Sequence, residues 1–72
     1  MNKTDNLYRL RKAINEALKK CRRDATPFIC SMVETKEGYD IIESQILSIC
    51  LNNNMQIFNA ITLIECENSN NE

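Results

Sequence analysis

Pro27 is the one proline in the chain, and it stands between two stretches whose apolar residues repeat at helical spacing. Proline cannot donate to the preceding turn and pushes the residue before it out of the helical region, so a helix arriving from the N-terminal side has to end within Asp24 to Pro27. One long helix is therefore ruled out. The chain has to fold back on itself, and the question becomes which further segments pack against the first.

Ahead of the break, Leu7, Leu10, Ile14, Ala17 and Cys21 recur at 3-4-3-4 spacing, with Leu18 widening the stripe and Thr4 or Asp5 placed as an N-cap. This predicts an amphipathic helix over 5–23. Thr26 as cap and Pro27 at the first helical position predict a short second helix over about 27–34. Phe28, Cys30 and Met32 also alternate as a strand would, but no other segment reads as a strand to pair with inside the chain, so only pairing between two copies would support that alternative. Thr35 opens a third helix over 36–51, in which Tyr39, Ile42, Ile46, Ile49 and Cys50 form the stripe and Asn52 to Asn54 the stop. Ile41, Leu47 and Leu51 fall outside that stripe. A helix apolar over so much of its circumference is packed on more than one side or shared with another subunit.

A fourth helix over 55–66, with Asn54 as its cap, places Ile57, Ala60, Ile61 and Ile64 on one face. The last residues, 67–72, are polar and asparagine-rich and predict a disordered tail. The fold class is thus all-α, a small bundle of three to four short helices forming one domain over 1–66.

With 72 residues, such a domain is marginal as a monomer, and disulfides, a metal or self-association are the usual remedies. Cys21, Cys30, Cys50 and Cys66 contain no C-x-x-C pair, and the chain has no histidine, so the close ligand pairs of a structural zinc site are missing. No apolar segment followed by a small-residue cleavage site marks secretion, and the cysteines are expected as reduced, small buried hydrophobes in a cytoplasmic protein. Self-association remains. Leu47, Leu51 and Ile41, the apolar residues that the third helix's stripe leaves over, are the expected interface for a homodimer or a foreign partner.

Charge is sharply divided. Eight of nine basic residues precede Asp24 and face only Asp5 and Glu16, whereas from Asp24 onward Lys36 stands against eight carboxylates. Arg9, Arg11, Lys12, Lys19, Lys20, Arg22 and Arg23 make the polar side of the first helix a basic surface. Its expected counterpart is the acidic segment holding Glu34, Glu37, Asp40 and Glu43, in the same subunit or a neighbouring one. Phosphate is the alternative counterpart. Against it, the helix that would read bases in a helix-turn-helix arrangement, the fourth, has no Lys or Arg, and Tyr8 is the sole aromatic near the cations.

Catalysis finds little to work with. There is no histidine, the single glycine (Gly38) cannot build a phosphate-cradling loop, and Cys30, near a helix start, reads as core and not as a nucleophile. The carboxylates read as a solvated face, and no residue set calls for a metal or cofactor. No apolar run approaches the roughly 20 residues that span a bilayer. Ten asparagines and nine isoleucines point to AT-rich coding, as in low-GC bacteria and their phages. The expectation is a non-catalytic protein-protein interaction module, an adaptor or inhibitor of a larger protein, with a nucleic-acid-binding accessory protein as the alternative.

Overall fold

The computed structural model describes residues 3–69, and within them the chain forms four α-helices and no strand. They are α1 (Lys3–Lys19), α2 (Pro27–Met32), α3 (Lys36–Asn53) and α4 (Ile57–Ser69). The small all-α bundle expected from periodicity is the fold observed, and the segment that also alternated as a strand is helical. α3 and α4 are both central: they pack on each other, and α1 and α2 pack on both.

The core is built almost entirely from the predicted stripes. Ile14 and Leu18 of α1, Ile29 of α2, Ile42, Ile46 and Cys50 of α3, and Ala60 and Ile64 of α4 form one buried cluster. Ile14, Ile29, Ile42 and Ile46 are its largest fully enclosed side chains, each stabilising the fold by about 1.5–3 kcal/mol through burial. Leu47, which falls outside the predicted stripe, packs half-buried against this cluster. Its helix is covered from three sides, which buries a wider arc than a single stripe.

Helix ends differ from the expected ones for local reasons. α1 stops at Lys19, four residues before Arg23, because the chain turns on Arg22, whose carbonyl accepts from the Ala25 and Thr26 N–H groups and from the Thr26 hydroxyl. Arg22 and Arg23 therefore belong to the connecting loop and not to the basic helix. α3 starts as predicted, with the Thr35 hydroxyl accepting from Gly38 N–H at 3.0 Å. At its other end Asn54 adopts the left-handed conformation, with φ of 53°, and its N–H returns to the Cys50 carbonyl. Asn54 thus ends α3 and does not cap α4, which begins at Ile57. α4 then runs to Ser69, so residues 67–69 are helical and not part of a disordered tail, and residues 70–72 lie outside the described residues.

α2 is too short to sustain itself, and its start is held from a distance. Thr26 is the N-cap by position, yet its side chain makes no capping bond. The carboxylate of Glu65, from α4, takes that role by accepting from Phe28 N–H through Oε2 and from Ile29 N–H through Oε1, both at 2.9 Å. Glu65 is only 8% exposed, a carboxylate buried because two orphan donors of α2 receive it.

Candidate functional site

One side of α1 is lined by small residues. Ala13 and Ala17 lie four apart, and Lys20 and Cys21 continue that side of the chain past the helix end. Because alanine fills so little space, α1 and α4 leave a solvent-open groove of about 420 Å³ between them. Ile57, Phe58 and Ile61 of α4 form the opposite wall, Leu18 and Ile29 the floor, and Arg22, Ala25 and Thr26 of the α1–α2 loop close one end. Phe58 is 76% exposed, the most exposed large hydrophobic side chain among the described residues.

The volume falls within the roughly 300–1,000 Å³ of small-molecule pockets, but such pockets carry convergent polar groups that orient a ligand. Here the polar groups other than the exposed Lys20 are already used. The Thr26 hydroxyl donates to the Arg22 carbonyl, the Arg22 guanidinium binds Asp24 at 2.8 Å, and the Cys21 sulfur accepts from the Cys30 thiol.

Of the expected interface residues, Leu51 and Ile41 are exposed and Leu47 is half-buried. Leu51 is 59% exposed and lines a second recess, of about 400 Å³, with Asn6, Leu7 and Leu10 at the other end of α1. Ile41 is 48% exposed elsewhere on α3, about 120° around the helix from Leu47, which faces the core. Leu47 and Leu51, four residues apart, lie on the same side of α3, and Ile41 is turned away from Leu47.

The basic surface stands largely as expected. Arg9, Arg11, Lys12, Lys19, Lys20, Arg22 and Arg23 are all exposed. Arg22 pairs with Asp24 and Arg23 with Glu34, both solvent-exposed contacts that add little to stability. Among the described residues the other five make no ion pair. α1 does lie beside α3, but the polar link between them is a neutral amide. Asn15 Nδ2 donates to Glu43 Oε2 at 2.7 Å while the Tyr39 hydroxyl donates to Asn15 Oδ1. Asn15 borders the apolar stripe beside Ile14, where sequence spacing alone gives no signal for this link.

Of the cysteines, Cys30 and Cys50 are buried and Cys21 half-buried, as expected of small hydrophobes, whereas Cys66 is exposed. Burial, and then the Cys30 thiol beside it, push the Cys21 thiol up to about 11. Burial likewise raises Cys50, and burial together with Glu43 and Asp40 raises Tyr39. Each group is neutral when protonated and binds its proton more tightly in the folded chain. Their contribution to stability is complete below the ordinary values of 9.0 for thiols and 10.0 for tyrosine, and is lost as pH rises through the folded values. Thermal melts are expected to be level with respect to these groups from pH 7 to 8.5 and to fall steadily from pH 9 to 11. A melting temperature that holds through pH 11 would contradict it.

No helix among the described residues is long and apolar enough to cross a membrane. No protein-family model, curated protein or solved structure matches this chain. What it does has to be argued from its own surfaces.

Proposed function

We propose that the chain is a small non-catalytic protein-binding module, an adaptor or an inhibitor of a larger protein, and that the groove between α1 and α4 is where the partner docks. The observation that carries this reading is Phe58, exposed at the edge of a mostly apolar groove. Exposed aromatics beside a pocket are the residues that most often dominate a protein interface. The occupant that fits is one amphipathic helix, its apolar side chains seated between Ala17 and Ile61 and its flank bearing carboxylates toward the exposed cations Arg9, Lys12, Lys19 and Lys20. No acidic residue lines the groove to oppose it.

Selection from a displayed library of helical peptides tests this directly. Binders should carry apolar residues at i, i+4 and i+7 with flanking Asp or Glu, and Phe58→Asp should weaken them by about 30-fold or more, the cost of losing an interface hot spot. Lys20→Glu should slow association and reduce its dependence on salt. Binders indifferent to Phe58→Asp, or none at all, would remove the groove from this reading.

Two other occupants are distinguished alongside. A dimer in sedimentation that Phe58→Asp disperses puts a second copy of this chain in the groove, while one dispersed only by Leu51→Glu places self-association at the recess beside Leu7 and Leu10. Mixed-sequence DNA or RNA bound at physiological salt, and lost in the Arg11→Glu, Arg22→Glu double variant, would favour nucleic acid over protein.

A further inference from the structure

We infer that Cys21 and Cys30 form a reversible dithiol–disulfide couple, oxidised by exchange with a small disulfide of the glutathione class. They are nine residues apart in sequence, with the end of α1, the turn at Arg22 and the start of α2 between them. That turn sets the two sulfurs 2.7 Å apart, well inside the roughly 3.5–4.0 Å of ordinary non-bonded contact. Closing to a covalent bond of about 2.05 Å takes a shift of less than ~1 Å, with no rearrangement of helices. Cys50 is buried elsewhere in the core and Cys66 is exposed on α4, so among the described residues this is the one cysteine pair in contact.

Access fixes the order of events. Cys21 lines the groove and is half-buried, whereas Cys30 is 5% exposed beneath it. Deprotonated Cys21 attacks one sulfur of oxidised glutathione, its S–S bond breaks, and one glutathione leaves as a thiolate that takes up the proton Cys21 lost. Cys30, losing its proton in turn, attacks the Cys21 sulfur and expels the second glutathione as a thiol. Two protein thiols are oxidised by two electrons, and one glutathione disulfide is reduced to two thiols. A peroxide sensor would want a low-pKa, exposed thiolate. Cys21 is held mostly protonated near neutral pH by burial and by Cys30, which suits slow exchange with a disulfide instead. The inference does not depend on what the groove binds.

The experiment equilibrates the full chain in glutathione buffers from fully reduced to fully oxidised, quenches in acid, alkylates the remaining thiols and maps peptides after trypsin. Cleavage at Lys20, Arg22, Arg23 and Lys36 separates the two cysteines, so the bond reports itself as the Cys21–Arg22 peptide joined to the Asp24–Lys36 peptide. The expected product is a monomer with that linkage, reversed by dithiothreitol, and melting about 5–10 °C above the reduced chain. Cys21→Ser should abolish the linkage without loss of fold, and a Cys66→Ser background removes adducts at the exposed thiol. Cys21 and Cys30 that both remain alkylatable in the fully oxidised buffer would overturn the inference. So would oxidation that stops at a glutathione adduct on Cys21 with Cys30 still free.

Discussion

Gly38→Ala is expected to lower the melting temperature by at least about 10 °C, the loss corresponding to roughly 2–3 kcal/mol in a domain of this size. Alanine is ordinarily the better helix former, by about 1 kcal/mol over glycine, and Gly38 sits in the first turn of α3. Sterics reverse the sign. A Cβ added there would lie 2.0 Å from the carbonyl oxygen of Met32 and 2.9 Å from its carbonyl carbon, both backbone atoms at the end of α2. It would also come within 3.0 Å of the Thr35 hydroxyl that caps α3. Neither helix can give way alone, because Ile29 and Ile42 tie both into the core. Stability for a chain of 72 residues is on the order of 4–11 kcal/mol, so a loss of this size removes a large share of it. Circular dichroism melts of the two proteins check the result. An alanine variant that melts at or above the parent would show that the α2–α3 junction opens at little cost, and that the close approach is not what keeps glycine there.

The existence and number of helices were legible because periodicity is a local property. Every residue of the buried cluster except Ile29 and Leu18 lies on a stripe read at 3-4 spacing, Leu18 widens the first stripe, and Ile29 follows the one proline. Capping at Thr35 was legible for the same reason. What sequence reading missed depends on partners far along the chain. α1 ends early because of a turn anchored on Arg22, and Cys21 meets Cys30 only because of that turn. Leu47 looked surplus under a calculation that gave α3 a single buried stripe, although the breadth of its apolar surface already argued for a central helix. α3 is central, and that is why Leu47 is covered. The groove was the least legible feature, since Ala13 and Ala25 lie off the apolar stripes and its aromatic, Phe58, comes from a helix far along the chain.

Glu65→Ala is expected to destabilise the fold by about 3 kcal/mol, comparable to or greater than the effect of Gly38→Ala, through a different mechanism. Read in sequence, Glu65 is one carboxylate after an apolar run, and its natural assignment is a polar edge of α4. In the fold it is the N-terminal cap of α2. Pro27 has no N–H to satisfy, so the two donors left at the start of α2, on Phe28 and Ile29, are the two that Glu65 accepts. Both bonds are charge-assisted, partly or wholly shielded from water, and aligned with the positive end of the helix. Alanine would strand both donors, and a six-residue helix cannot persist on its own propensity. α2 should then detach before the rest of the bundle unfolds, carrying Ile29 out of the core and loosening the groove floor. Glu65→Gln retains one carbonyl acceptor but turns an NH₂ toward the second N–H, so its loss should fall between that of the parent and that of Glu65→Ala. Thermal melts give the order, and amide hydrogen exchange gives the place: protection at Phe28 and Ile29 should drop in Glu65→Ala further than protection at Ile46 in α3. Equal loss of protection at both sites would mean the bundle opens as one unit, and the cap would then stabilise the whole fold instead of holding α2 to it.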